Sequence, residues 1–162
     1  MDSSGTADIT ASTATWVTGF TAYTSAGDKI AFTGDLAKFA ASSAFDSSFN
    51  ASQSGTAGKV LTGKLNLATD TTKGVTADIA ADLVALFAAS DQQNKIAFLA
   101  QNDEAILVTK TSDANALNIW YLKGGANEAS ATDDTIVLLG TVEGSSALTL
   151  TADCFTFLLP SG

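Results

Sequence analysis

The sequence predicts a mainly β (α+β) fold: an antiparallel β sandwich or sheet with one or two short helices packed on it. Three observations lead there. After residue 95 the chain is a succession of short apolar, β-branched and aromatic runs separated by turn residues. Before it, one segment carries apolar residues at helical spacing, with Ile79, Leu83, Leu86 and Phe87 on one face. A chain of 162 residues suits one domain, 1–162, with a subdivision into 1–75 and 76–162 as the alternative.

Residues 6–20 alternate small polar and apolar side chains and read as a strand. Ile9, Ala11, Thr13, Thr15 and Val17 share one parity, and Trp16 and Phe20 the other. Residues 24–28 form a turn, and 29–32 a short strand. Asp35 is placed to cap a helix whose face would hold Leu36, Phe39, Ala40, Phe45 and Phe49. A Ser/Gly/Ala loop follows at 50–58, then strand-like residues at 60–67 interrupted by Gly63, and a turn at 70–74. The clearest helix comes next. Thr76 serves as its expected N-cap, Asp78 sits in its first turn, and it ends near Ser90.

Residues 96–100 and 105–109 flank the polar segment 101–104 and predict a hairpin. A turn at 112–116 leads to a strand at 117–122. A polar loop at 123–133 contains Gly124 and Gly125. The run 135–139 reads as a buried strand, 147–151 as a connector or strand, and 155–158 as the last strand before Pro160. The second half is thus a meander of antiparallel strands that one helix can cover on one face.

Charged residues are 15% of the chain, well below the usual ~25%. Polar surface must come from Thr, Ser, Asn and Asp. Their short side chains lose little rotamer entropy when they pack against another copy. The plainer reading is a small-residue-rich secreted protein with no such contact. The net charge is −9, with a pI near 4.1. Phosphate backbones and anionic lipid surfaces are repelled, so neither nucleic acid nor membrane insertion is expected. Divalent cations are attracted. No run approaches the roughly 20 apolar residues of a spanning helix, and residues 1–5 carry no basic and apolar leader.

The chain has no His. This removes the commonest general base, the usual zinc ligand and every Ser-His or Cys-His pair. Cys154 is the one cysteine, so no intrachain disulfide forms. Neither a phosphate-binding G-x-x-x-x-G-K-[ST] nor a strand-linked G-x-G-x-x-G occurs. The expectation is a protein that is not an enzyme.

Two stretches resemble a known family. Residues 15–32, with Gly27, Asp28, Lys29, Ile30 and Phe32 at their end, resemble the segment that follows the calcium repeats of RTX-type, type I secreted bacterial proteins. There a strand ending in I-x-D-F leads through a turn to G-x-D-K-I-x-F/L. Residues 95–158 resemble the C-terminal β domain of those proteins and of some S-layer proteins. The order is a hairpin, a strand bearing Trp120 and Tyr121, a Gly loop, the run 134–139 and the run 150–155. Together the two stretches cover about half of the chain. The departures are specific. Gly19 stands where the family has the aspartate of I-x-D-F. Gly124, Gly125, Ala126 and Asn127 begin like the calcium nonapeptide G-G-x-G-x-D-x-U-x and do not continue it. The resemblance implies a secreted or cell-surface protein, exported by a type I-like route through an uncleaved C-terminal signal.

Calcium is the one cofactor expected, and its candidate ligands are Asp133, Asp134, Asn127 and Glu128 beside the Gly124–Gly125 loop, with Asp28. The plain alternative for Asp28, Asp133 and Asp134 is turn fixing through side-chain to backbone hydrogen bonds. Residues 102–104 read more simply as a hairpin turn than as a metal site. Trp16, Trp120 and Tyr121 offer a sugar-stacking platform or core packing, and packing is the reading the strands favour.

The expected function is a non-enzymatic extracellular structural subunit that self-assembles into a surface layer, filament or matrix. Its partners would be copies of itself, with cell-surface polysaccharide as a further one. The alternatives are a monomeric adhesin or carbohydrate-binding module, and a virus or phage structural protein.

Overall fold

The computed structural model describes residues 15–22, 27–33, 36, 63–66, 76–88, 101–102, 104–126, 131–150 and 152–157. The fold is mainly β. Its elements are β1 (Thr15–Val17), β2 (Ile30–Phe32), β3 (Gly63–Asn66), α1 (Ala80–Ala88), β4 (Glu104–Lys110), β5 (Ala116–Lys123), β6 (Thr135–Glu143) and β7 (Phe155–Phe157). Short 3-10 turns precede β6, at Ala131–Asp133, and β7, at Ala152–Cys154.

Five strands form one sheet in the order β1-β6-β5-β4-β3, and β2 pairs with β7 in a second, smaller sheet. The centre is the expected antiparallel meander, β4 with β5 and β5 with β6. The flanks differ from the expectation. β1 runs parallel to β6, β3 parallel to β4, and β2 parallel to β7. Sequence alternation does not encode strand direction, so these pairings had no local signal. The predicted partner of β4 in a hairpin, 96–100, lies outside the described residues. So does most of the predicted helix after Asp35, of which Leu36 is described and buried.

β5 is buried along all but its last residue. This explains why Ala116–Lys123 is nearly continuous in apolar residues instead of alternating: both faces of the sheet are covered. On one face, Ile106, Val108, Leu117, Ile119, Tyr121 and Val142 pack with Ile30, Phe32 and Phe155 of the small sheet, and with Phe20 and Cys154, in one cluster. The Phe32 and Phe155 rings stack with centroids 6.1 Å apart. Each such buried side chain contributes roughly 1.5–3 kcal/mol relative to exposure. On the other face lie Leu107, Thr109, Asn118 and Trp120, which the register places directly opposite one another as Leu107↔Trp120 and Thr109↔Asn118.

That second face receives the segment before α1. Ala77 is fully buried. Its N–H donates to the Lys110 carbonyl at 3.0 Å. Its own carbonyl accepts Asn118 Nδ2 at 2.9 Å and Thr109 Oγ1 at 3.5 Å. Trp120 Nε1 donates to Thr109 Oγ1 at 3.0 Å, and Thr141 Oγ1 donates to Asn118 Oδ1 at 2.7 Å. A connected polar network therefore holds the entry of α1 on the sheet, with its buried groups satisfied.

α1 falls within the predicted helix but is capped differently. Thr76 is not the cap: it makes a parallel bridge with Lys110. Asp82 does the capping, with Oδ2 accepting the N–H groups of Asp78 at 2.8 Å and Ile79 at 3.0 Å. The carboxylate satisfies two donors that the first turn leaves open. Leu83 is fully buried as expected, whereas Ile79 is 60% exposed. The helix starts at Ala80, one residue after Ile79, so Ile79 lies outside the helical face that its spacing suggested. Among the described residues no helix is long and apolar enough to cross a membrane.

Between β5 and β6 the register shifts at Ile119/Trp120: Ile119 faces Gly140 and Trp120 faces Leu138. Leu139 is the extra residue of a bulge. Gly140, directly after it, pairs with Thr15 of β1. A Cβ at Gly140 would lie 2.7 Å from the Thr15 carbonyl oxygen, so this glycine lets β1 reach the edge of the sheet.

Candidate functional site

Three places bear on function. The first is the corner where the Gly124–Gly125 loop meets the start of β6. Of the residues that the sequence singled out there, the structure places Asp133 and Asp134 against Gly125. Asp134 Oδ1 accepts the Gly125 N–H at 2.8 Å. The backbone of Asp133 packs on Gly125 so closely that a Cβ would lie 2.5 Å from its carbonyl oxygen. Asp134 Oδ2 is buried without a hydrogen-bond partner. Burial pushes the Asp134 carboxyl above its usual range. The Gly125 N–H pulls it down, and the neighbouring Asp133 charge pushes it further up. Asn127 and Glu128 lie outside the described residues.

Asp28 sits elsewhere. Its Oδ2 accepts the Thr21 N–H at 2.9 Å, and its own N–H donates to the Thr21 carbonyl at 2.7 Å. It ties the stretch after β1 to the stretch before β2. There it lines a cleft of about 610 Å³ with Val17, Phe20, Ile30, Gly140 and Val142. Gly140 and Val142 lie toward the end of β6, whereas Asp133 and Asp134 precede its start, so Asp28 and the aspartate pair flank opposite ends of that strand. Among the described residues no group of three or more His, Cys, Asp or Glu side chains is placed to hold a metal ion. Asp133 and Asp134 by themselves supply fewer oxygens than the six to eight that calcium takes.

The second place is the pair of sheet edges. β1 and β3 end the five-stranded sheet, and neither has a second strand neighbour among the described residues. β1 carries no charge. Its Trp16 and Val17 are 68% and 40% exposed.

The third place is the surface beside Trp16. Trp120 and Tyr121 are buried, at 1% and 4% exposure, and belong to the core as packing predicts. Trp16 does not. Its Nε1 donates to Glu143 Oε2 at 3.1 Å. Beside it lies a recess of about 310 Å³ whose walls include Asp78, Ser112, Asp113, Asn118 and Thr141. Asp78 Oδ1 accepts the Ser112 N–H at 2.8 Å, and Asp113 Oδ1 accepts the Asn115 N–H at 2.9 Å. Sequence reasoning missed Asp78, Ser112, Asp113 and Glu143 as neighbours of Trp16. They come from three separate segments, and only the parallel docking of β1 onto β6 brings Trp16 to them.

Comparison with known proteins adds no relative: no family model, no curated protein and no solved structure matches this chain.

Proposed function

We propose that this chain is a non-enzymatic extracellular structural subunit that self-assembles into a surface layer, filament or matrix, secreted by a type I-like route. One observation carries the reading: the two edge strands of the main sheet run the same way. β1 is parallel to β6, β6 and β4 are each antiparallel to β5, and β3 is parallel to β4. A copy displaced along the sheet sets its β3 beside β1 in parallel alignment. Such a contact joins two different surfaces and does not close on itself, which yields open arrays. Unpaired edges are templates for added strands, and strand twist would turn the array into a helix.

The low content of long charged side chains supports close packing of copies. The net charge of −9 opposes it, and calcium is the proposed counter-ion. Light scattering and negative-stain imaging, first in millimolar calcium and then in excess chelator, test the proposal. Sheets or fibres that grow with concentration support it, and their loss in chelator assigns calcium a part. A monomer at every concentration and calcium level ends it.

A further inference from the structure

We propose that Trp16 and the recess beside it bind an uncharged saccharide ring, independently of any edge-to-edge assembly. Trp16 is the most exposed of the large apolar residues in the described part of the chain. An exposed indole is costly to leave in water, and its flat face offers a large apolar contact. The bond from Nε1 to Glu143 anchors one edge of the ring at 3.1 Å. A ligand stacking on the indole therefore meets a positioned surface and loses less entropy in ordering it.

The recess has the size of a small-molecule site. Two of its polar groups, Asp78 and Asp113, are acceptors that are already held in place. Asp78 is tied to the Ser112 backbone and Asp113 to the Asn115 backbone, each through one carboxylate oxygen. An ionised carboxylate accepts about four hydrogen bonds, so both retain capacity toward a ligand. Asn118 and Thr141, which also line the recess, are joined to each other at 2.7 Å.

A ligand that fits must show an apolar face to the indole and hydroxyl donors to the carboxylates. A pyranose ring does both, with axial C–H bonds on one face and hydroxyls around its rim. Among the described residues no Lys or Arg lines the recess, so an anionic sugar would meet uncompensated negative charge there. An organic cation is better served by a cage of several aromatic rings, and Trp16 is the single aromatic residue among the described residues that line this recess.

The test uses affinity electrophoresis and intrinsic fluorescence titration with the full chain against two neutral polymers, dextran and mannan. Choline and polygalacturonate serve as the cationic and anionic probes. The expected result is binding of at least one neutral polymer, with a loss of about tenfold or more for Trp16→Ala. Asp78→Asn keeps an acceptor for the Ser112 N–H and removes the charge, and is expected to weaken binding less. Trp16 is exposed, so thermal melting of Trp16→Ala should match that of the parent and separate lost binding from lost folding. The proposal is overturned if neither polymer binds, if Trp16→Ala binds as the parent does, or if choline or polygalacturonate binds in preference. Scattering of the same samples reports assembly separately, so failure of one reading leaves the other standing.

Discussion

Asn118 Nδ2 donates to the Ala77 carbonyl at 2.9 Å across 41 residues of chain. That single amide ties the central strand of the sheet to the approach of α1, and its Oδ1 also accepts from Thr141. Asn118→Ala removes both bonds and leaves a buried carbonyl with only the long contact from Thr109. The expected cost is about 2 kcal/mol or more, read as a lower midpoint in urea unfolding with an unchanged slope. A midpoint equal to the parent's would show that water replaces the amide and that α1 does not depend on it.

Asp134 sets a pH dependence. Its folded carboxyl holds a proton to higher pH than the unfolded one, chiefly because burial disfavours the charge. Below the unfolded value of about 3.9 both states are protonated and the group contributes nothing. As pH rises through that value and then the raised folded one, the unfolded state is favoured. Asp134→Asn keeps an acceptor for the Gly125 N–H and removes the charge. The variant should melt higher than the parent at pH 7, with the difference closing on acidification toward about pH 4. A gap that stays constant with pH would place the effect in packing.

Gly140→Ala puts a methyl group against the Thr15 carbonyl, where the available separation is 2.7 Å. β1 should shift or release while the β4-β5-β6 centre remains. Hydrogen exchange is the direct readout: amides of residues 15–17 and 20 should lose protection, the last because Phe20 N–H donates to the Glu143 carbonyl at 2.9 Å. Equal protection in the variant and the parent would mean that β6 gives way at its bulge instead.

Val17→Lys tests the assembly proposal at one edge. Val17 lies on β1 and is already 40% exposed, so a lysine there costs little folding stability. Edge lysines discourage strand addition. The expected outcome is a variant that melts like the parent and stays small in light scattering under conditions where the parent grows. Assembly at the parent's rate would remove β1 from the contact.

The sequence made the centre of this fold legible and left its flanks obscure. β5 and β6 announce themselves because Leu117, Ile119, Trp120, Tyr121, Val137 and Leu139 are apolar and strand-forming at short range. α1 is legible for the same reason, through Leu83 and its neighbours. The cap was misplaced because Thr76 is a better cap by residue type than Ile79. Asp82, reaching back from the third helical position, does that task here. The parallel pairings β1 with β6 and β2 with β7 depend on residues more than a hundred positions apart, and nothing local marks them. The same holds for the surface beside Trp16. By contrast, the closeness of Gly125 to Asp133 and Asp134 was readable, because a short Gly loop followed by an aspartate pair must turn back on itself to start β6.

The pairing of β1 with β6 and of β2 with β7 joins the beginning of the chain to its end. Such a molecule has high contact order, and its folding is correspondingly slow. The clasp also fixes an order of events during synthesis. Ile30 and Phe32 acquire their strand partner only once residues 155–157 have been made, so the small sheet forms after β4, β5 and β6 have been synthesised. The stack of Phe32 on Phe155 is therefore among the last contacts of the core to form.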